Sequence, residues 1–247
     1  MCSSKTTKKV AMVTGGASGI GTATCRRFAK EGYIPVIVDV NLEAAEPLAA
    51  ELGGMAVQTD VTSYDACVAA AKKVYETYGR IDILVCCAGG ASGRMLNMPG
   101  KFHEVPISRL EWGINLNLMG AMYMAHAVVN YMVEAKYGKI VFLGSVAGVV
   151  GAIGGADYSA SKGGLESLTK SLGMELAPYG INVNIVSPGP IHTRDGMLCM
   201  TTYFGRIGQP DEVANVINFL CSDEASFVTG HNYLVDGGRS LGGLSKK

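Results

Sequence analysis

Residues 10–21 read VAMVTGGASGIG, an apolar run followed directly by a turn rich in glycine. Glycines at these positions permit a tight turn, let a diphosphate approach the backbone, and let the next helix pack closely on a sheet. That helix would also offer unpaired N–H groups and the positive end of its dipole to phosphate. The stretch therefore predicts the first strand, turn and helix of a dinucleotide-binding fold. The residues expected to face the dinucleotide are Gly15, Ser18, Gly19, Ile20 and Gly21.

The rest of the chain alternates apolar runs with longer helical segments, which predicts an α/β fold: a doubly wound, Rossmann-like parallel sheet of about seven strands with helices on both faces. No linker or repeat divides the chain, so we predict a flexible tail over 1–9 and a single domain over 10–247, with a substrate lid near 194–209. The predicted strands are 10–14, 35–39, 56–59, 83–86, 139–143, 183–187 and 233–235, and the predicted helices are 19–31, 42–52, 64–78, 109–135, 158–177 and 211–220.

Composition excludes several classes of function. The 21 basic and 21 acidic side chains cancel, so nothing in the charge favours nucleic acid or an anionic membrane as a partner. The seven cysteines show no disulfide or metal-ligand spacing, and the four histidines show none either. The first nine residues are polar and resemble neither a signal peptide nor an anchor. We therefore expect a cytoplasmic enzyme with free thiols and no metal.

The segment 158–162 reads YSASK, which places Tyr158 and Lys162 four residues apart on one face of a predicted helix. A free tyrosine has a pKa near ~10 and is a poor base at neutral pH, but a neighbouring ammonium favours the phenolate. Ser145, which follows a strand and a glycine, could hydrogen-bond a substrate oxygen while Tyr158 exchanges its proton. The same spacing also occurs in ordinary surface helices, so its interpretation depends on the rest of the chain.

Together these motifs resemble the short-chain dehydrogenase/reductase family. The resemblance covers about residues 9–238. Its motifs are TGGASGIG at 14–21, Asp60-Val61, Cys-Ala-Gly at 87–89, NLMG at 117–120, Ser145, YSASK at 158–162 and PGPIHT at 188–193. The resemblance implies hydride transfer with a nicotinamide dinucleotide. It assigns the substrate oxygen to Ser145, acid–base chemistry to Tyr158, a ribose contact and a lowered tyrosine pKa to Lys162, and to Asn117 a water that completes a proton relay.

Asp39 ends the second predicted strand, about 20 residues after the glycine turn. A carboxylate there can accept hydrogen bonds from the adenosine ribose and repels a 2′-phosphate. It could instead cap the next helix, although Asn41 could do that too. Because Ser18 stands where relatives that prefer NADP often carry a basic residue, we predict NAD. The resemblance adds further cofactor contacts at Asp60, Val61, Ala88, Gly89, Tyr158, Lys162, Pro188, Gly189, Ile191 and Thr193.

Three further features of the sequence each allow more than one interpretation. Cys86 and Cys87 stand where the family commonly has two asparagines, and we expect them to be small packed side chains with no redox role. Asp157, directly before Tyr158, could cap the helix or contact substrate, and the cap is favoured. The substrate pocket is expected to draw on residues 90–95, 149–153, Asp157, Pro190 and the lid, which would suit sugars, hydroxy acids or steroids.

The sequence thus predicts an NAD(H)-dependent oxidoreductase that interconverts a secondary alcohol and a ketone. One alternative is a 3-oxoacyl carrier-protein reductase of the same family, which Asp39 disfavours. The other is a non-catalytic dinucleotide-binding regulator, which has no need of Asn117, Ser145, Tyr158 and Lys162 together. The resemblance also implies a homo-oligomer, either a dimer or a tetramer.

Overall fold

A computed structural model of the protein describes residues 6–194 and 202–242. These residues form one domain around a seven-stranded sheet in which every neighbouring pair of strands is parallel. The strands are β1 (Val10–Thr14), β2 (Ile34–Asp39), β3 (Met55–Gln58), β4 (Ile83–Cys86), β5 (Gly138–Leu143), β6 (Ile181–Pro188) and β7 (Asn232–Val235). The predicted Rossmann-like sheet is confirmed.

The order of the strands, β3-β2-β1-β4-β5-β6-β7, reverses direction between β1 and β4. The chain builds outward from β1 to β3, then returns to place β4 on the other side of β1. In an open parallel sheet, ligands bind outside the carboxyl ends of the strands at such a switch point. The glycine turn follows β1 directly and therefore lies at this point.

Helices cover both faces of the sheet, which explains why its central strands are apolar along their whole length. Phe28, Leu48 and Ile217 pack on one face, and Val74, Met124 and Leu165 pack on the other. The α-helices are α1 (Gly19–Lys30), α2 (Leu42–Leu52), α3 (Tyr64–Tyr78), α4 (Ser92–Met95), α5 (Ile107–Ile114), α6 (Gly120–Ala135), α7 (Val146–Val150), α8 (Ala156–Leu176) and α9 (Pro210–Cys221).

Two of these helices lie in segments that the sequence analysis treated as loops. Helix α4 is four residues long and α7 is five, so neither has a periodic apolar face to reveal it. The α7 helix begins where the Ser145 hydroxyl accepts a hydrogen bond from the backbone N–H of Ala147 (3.1 Å). Tertiary contacts, rather than helix propensity, hold segments this short.

The long predicted helix, residues 109–135, contains a widened turn. Residues Asn115–Met119 form a π-helical segment between α5 and α6. Such π-bulges interrupt α-helices mostly as single turns and are frequent at functional sites. The predicted helix is thus distorted around Asn117, and it begins two residues earlier than predicted, at Ile107.

Parts of the predicted tail and lid, residues 1–5 and 195–201, lie outside the described residues. Of the tail, Lys9 forms an ion pair with Asp223 at 2.8 Å. Of the lid, the Thr202 hydroxyl donates to the carbonyl of Arg206 (2.7 Å), and the Tyr203 hydroxyl donates to the carbonyl of Gly242 (2.5 Å). Each helix in the described ranges is too short or too polar to cross a bilayer.

Candidate active site

One cleft of about 710 Å³ opens at the carboxyl ends of the strands, at the switch point. Its size suits a small-molecule or cofactor site. Nearly all the predicted catalytic and cofactor-binding residues line it, and only Asn117 and Lys162 of that set lie beneath its surface. The predicted residues that line the cleft are Gly15, Ser18, Gly19, Ile20, Gly21, Asp39, Asp60, Val61, Ala88, Gly89, Ser145, Tyr158, Pro188, Gly189, Ile191 and Thr193.

The floor of the cleft is backbone held in conformations that favour glycine. Gly15 has a φ of +62°, and a Cβ there would lie 2.8 Å from the backbone nitrogen of Ala88. Gly89 has a φ of +147°, and a Cβ there would lie 2.5 Å from Oδ1 of Asn117. The first turn of α1 carries no acidic residue, so the positive end of its dipole faces the cleft without a competing carboxylate. These features fit the diphosphate and ribose of a dinucleotide.

Asp39 is held at the rim of this cradle by two backbone N–H groups. Its carboxylate accepts hydrogen bonds from Ala17 and Asn41, both at 3.0 Å. The cap of α2 is supplied by Asn41, whose side chain accepts from Ala44 at 3.1 Å. Asp39 is therefore not the helix cap, and its carboxylate lines the cleft where an adenosine ribose would bind.

Asp60 has a similar arrangement at the adjacent strand end. Its carboxylate accepts from the backbone N–H and the hydroxyl of Thr62, at 2.9 and 2.7 Å. Ser63 caps α3 by accepting from the backbone of Ala66. Val61 beside it is buried against Gly120 of α6. The pair thus offers one carboxylate and one apolar surface to the adenine end of the cleft.

Tyr158 and Lys162 lie on the same face of α8, as their spacing predicted. The Nζ of Lys162 is 5.6 Å from the centre of the Tyr158 ring and donates to the carbonyl of Leu143 at 2.7 Å. Burial lowers the pKa of Lys162 to about 8. The ammonium lies below the cleft, between the end of β5 and the Tyr158 ring, and can act on the tyrosine through space.

The expected lowering of the Tyr158 pKa is wrong. Burial raises the pKa of Tyr158, while its hydrogen bond with Ser145 and the charge of Arg94 act in the opposite direction. Desolvation dominates because the phenolate would be the charged form. At neutral pH the tyrosine therefore keeps its proton and is ready to donate it.

Asn117 is buried, and its amide joins the widened turn to the cleft floor. Its Oδ1 accepts from the backbone N–H of Gly90 (2.8 Å), while its Nδ2 donates to the carbonyls of Gly90 (3.0 Å) and Gly113 (2.9 Å). The side chain thus fixes the loop that follows β4. Its predicted role in holding a relay water stays a prediction.

Both interpretations of Asp157 are wrong. The N-cap of α8 is Gly155, and Asp157 lies inside the helix, buried and not lining the cleft. Its carboxylate accepts a short hydrogen bond from the Ser92 hydroxyl and pairs with the buried guanidinium of Arg109 at 3.4 Å. A buried carboxylate requires such partners, and no local sequence pattern reveals a pairing across 48 residues.

Cys86 and Cys87 occupy different environments. Cys86 is buried in the core, and burial raises its pKa well above the usual range. Cys87 lines the cleft, and burial raises its pKa to about 12. The hydrogen bonds across this part of the sheet come from Thr14, whose carbonyl accepts from Cys87 and whose hydroxyl accepts from Ala88. Thiols that resist ionisation in this way agree with a packing role.

The substrate end of the cleft is only partly as predicted. Of residues 90–95, Gly90, Ala91, Arg94 and Met95 line it, whereas Pro190 and residues 149–153 do not. Trp112 and Leu116 were missed. The spacing of four residues between them was the available signal, because it places both on one face of the helix that leads to Asn117. Within the described ranges, no group of three or more potential ligands is arranged to hold a metal ion.

Comparisons with known proteins cover nearly the whole chain. Residues 15–240 match a family described as Enoyl-(Acyl carrier protein) reductase. A 3-oxoacyl-[acyl-carrier-protein] reductase of Thermotoga maritima is 39% identical, over 93% of this chain and 97% of the relative. An NAD-dependent glycerol dehydrogenase of Listeria innocua is 36% identical, over 95% of each. The crystal structure of gox2181 superposes with a TM-score of 0.88 at 34% identity, covering 96% of this chain and 98% of the other.

Proposed function

Because the chain belongs to the short-chain dehydrogenase/reductase family, whose oxidoreductases act on CH–OH groups, we propose that it interconverts a secondary alcohol and a ketone with NAD(H). The observation that carries this proposal is the convergence of two chemically different parts on one cleft. A glycine-built cradle lies beside a tyrosine that is paired with a serine at the surface and with a buried lysine below.

Each part has a task. A bound nicotinamide dinucleotide would exchange a hydride with the substrate carbon. The glycine turn, Asp39 and Asp60 would hold it, and the Ser145 hydroxyl would hydrogen-bond the substrate oxygen. During reduction the protonated Tyr158 donates its proton to that oxygen, and during oxidation the phenolate removes it. Lys162 stabilises the phenolate by charge.

The direction of the reaction should depend on pH. Burial raises the pKa of Tyr158, so the donor form persists through neutral pH and favours ketone reduction. Oxidation needs the deprotonated form, and its rate should therefore rise as the pH increases towards the alkaline range. Oxidation also releases a proton, so an increase in pH shifts the equilibrium towards the ketone as well.

Two features support NAD over NADP. The Asp39 carboxylate would repel a 2′-phosphate, and its two backbone hydrogen bonds keep it at the rim of the cradle. Ser18, at the start of α1, supplies no cation for such a phosphate. The relative from Listeria innocua is named as NAD-dependent.

The proposal is tested by a screen of polyols, hydroxysteroids and hydroxy acids with NAD and NADP, followed at 340 nm. The matched control is Tyr158→Phe, which keeps the ring but removes the proton-transfer group. We expect turnover to fall by on the order of a hundredfold or more while NADH binding is retained. Near-normal turnover in this variant on an identified substrate would contradict the mechanism.

A second candidate function is reduction of a 3-oxoacyl thioester on a carrier protein, which the relative from Thermotoga maritima favours. An acyl carrier substrate with NADPH in the same screen separates the two. A non-catalytic regulator would bind the dinucleotide without turning over any of these compounds.

We also propose a cytoplasmic location and a dimer or tetramer. Analytical ultracentrifugation tests the oligomeric state.

A further inference from the structure

The substrate end of the cleft contains a cation that neither the cofactor cradle nor the proton transfer requires. Arg94 lies on α4, five residues after Gly89, and lines the cleft together with Ser145 and Tyr158. Its guanidinium lies against Gly90, where a Cβ would be 2.9 Å from Nη2. Its charge also reaches the tyrosine, since it acts to lower the Tyr158 pKa. Arg94 is thus close enough to influence the reacting end of a substrate.

Arg94 differs in its partners from the arginines that form ion pairs. The guanidinium groups of Arg26, Arg80, Arg109 and Arg206 each contact a carboxylate. Within residues 6–194 and 202–242, the Arg94 side chain has neither an ion-pair partner nor a hydrogen-bond acceptor. The N–H donors of this cleft-lining side chain therefore lack a protein acceptor among the described residues.

The acidic residues of the cleft lie at its other end. Asp39 and Asp60 follow β2 and β3, and each already accepts two hydrogen bonds from neighbouring residues. Met95, the next residue in the chain, lines the cleft with Arg94, and Trp112 and Leu116 add further apolar or nearly apolar lining. Arg194, the first residue of the predicted lid, is a second arginine that lines the cleft. The cleft thus offers positive charge and apolar surface away from its two carboxylates, which suits a short apolar chain ending in an anion and suits a polyol poorly.

We propose that Arg94 binds the carboxylate of the substrate, and that the substrate is a short hydroxy acid or the corresponding keto acid. The inference rests on the proposed function, because it places the carbinol carbon beside Tyr158. A guanidinium matches a carboxylate through two parallel N–H···O hydrogen bonds, which fix the orientation of the ligand as well as its charge.

The turn that carries Arg94 is anchored below the cleft. Ser92, two residues earlier, is buried and donates to Asp157, while the Nε of Arg109 donates to the Ser92 oxygen at 3.0 Å. A Cβ on Gly93 would lie 3.4 Å from the Arg109 guanidinium carbon. The helix that carries Arg94 is therefore connected to the residue immediately before Tyr158, and a ligand held by Arg94 would have a defined position relative to the tyrosine.

The position of Arg94 also distinguishes a small acid from a carrier-bound thioester. A thioester has no charge next to its carbonyl, and its nearest phosphate lies at the far end of a long pantetheine arm. Arg94 lines the cleft together with Tyr158 and Ser145, and its charge acts to lower the Tyr158 pKa. A carboxylate a few bonds from the carbinol can reach it, whereas the carrier phosphate would lie outside this end of the cleft.

The test compares acetoacetate and levulinate with their methyl esters, which keep the ketone and remove the charge. Reduction is measured with whichever of NADH and NADPH supports the faster rate. For the wild-type protein we expect at least one acid to exceed its ester in kcat/KM by tenfold or more. In Arg94→Gln, kcat/KM for that acid should fall about tenfold to a hundredfold, with the ester changed less than about threefold. Arg94→Lys should give an intermediate loss of kcat/KM for the acid, because it keeps the charge but loses the paired N–H donors of the guanidinium.

Arg26→Gln is the matched control, since it removes the same charge from the exposed surface of α1, where Arg26 pairs with Glu51. This substitution should leave kcat/KM unchanged for both the acid and the ester. An equal loss for acid and ester in Arg94→Gln, or no loss for either, would overturn the assignment. A loss of kcat/KM in Arg94→Gln that is confined to acetoacetyl-coenzyme A would also overturn the assignment.

A binding measurement separates this inference from the proposed function. Trp112, the single tryptophan of the chain, lines the same cleft and can report binding by fluorescence. We expect Arg94→Gln to raise the Kd for the acid at least tenfold in the presence of NAD, and to leave that for the ester nearly unchanged. Selective binding of the acid without any turnover would contradict the proposed function while supporting the carboxylate site. Equal binding of acid and ester by the wild-type protein would contradict the site.

Discussion

The two ends of the cleft are built in different ways. The cofactor end is a backbone structure, in which Gly15 and Gly89 bring chain segments within contact distance because neither carries a Cβ. The substrate end depends on side chains, among them Arg94 of α4 and Tyr158 of α8, and a buried ion pair between Arg109 and Asp157 supports these two helices. The cofactor end depends on glycines that lack a Cβ, whereas the substrate end depends on contacts between side chains. The two ends should therefore respond differently to mutation.

The difference extends to energetics. The Arg109 and Asp157 side chains are each 1% exposed, whereas those of Arg26 and Glu51 are 45% and 52% exposed. Exposed pairs contribute little because water and salt screen them. Removal of one member of a buried pair leaves an unpaired charge in the interior and is strongly destabilising. Removal of a charged side chain should therefore lower the free energy of unfolding most at the substrate end of the cleft.

The largest effect is expected from Arg109→Leu. It leaves Asp157 without its cation and removes the donor to the carbonyls of Met98 and Gly154, which lie 3.0 and 2.7 Å away. We expect the free energy of unfolding, measured by urea denaturation, to fall by about 3–5 kcal/mol.

Arg26→Leu is the control for that measurement, and it should cost less than about 1 kcal/mol. The folded fraction of Arg109→Leu should bind NADH within about threefold of the wild-type Kd, because the cofactor end does not use this network. Equal destabilisation by the two substitutions, or cofactor binding lost in proportion to stability, would remove the distinction between the two ends.

A smaller effect is expected from a change confined to the cofactor end. Asp39→Asn combined with Val40→Arg removes the repulsive carboxylate and adds a cation at a 65% exposed position that lines the cleft. We expect the ratio of kcat/KM for NADP over NAD to rise about tenfold to a hundredfold. Val40 is a better site than Asn41, because Asn41 caps α2.

Two outcomes would contradict this interpretation of Asp39. One is a wild-type protein that already prefers NADP by a wide margin. The other is a double variant whose cofactor preference is unchanged although it folds normally. Selectivity between acidic and ester substrates should not change in the variant, because Arg94 lies at the other end.

The smallest effect is expected where the two ends meet, at Cys86 and Cys87. Burial raises the pKa of both thiols, so neither is an available thiolate at neutral pH. Replacement of both by Ala should leave turnover within roughly tenfold and lower the free energy of unfolding by about 1 kcal/mol through lost packing. Abolished turnover in a folded double variant that still binds NADH would show that a thiol has a role in the chemistry.

The cofactor end could be predicted from sequence because its signals are local. The glycine turn, Asp39 and the Tyr158–Lys162 spacing each depend on residues close together in the chain or at the end of a recognisable strand. The substrate end could not be predicted to the same degree. Asp157 was taken for a cap, since its partners Ser92 and Arg109 lie 65 and 48 residues away and only the fold brings them together. The pKa of Tyr158 was also missed, because desolvation depends on packing around the ring.

The central claim is that Tyr158 exchanges the proton and that the charge of Lys162 assists it. The most direct measurement is the pH dependence of alcohol oxidation by the wild-type protein and by Lys162→Met, at saturating cofactor. The active form in this direction is the phenolate, so the rate should rise with pH through the Tyr158 pKa. Charged Lys162, with Nζ 5.6 Å from the ring centre, favours the phenolate, and the phenolate in turn keeps the lysine charged, because the two groups titrate as a pair. Removal of the lysine should therefore move the rising limb to higher pH. A limb at the same pH in both proteins would contradict the claim.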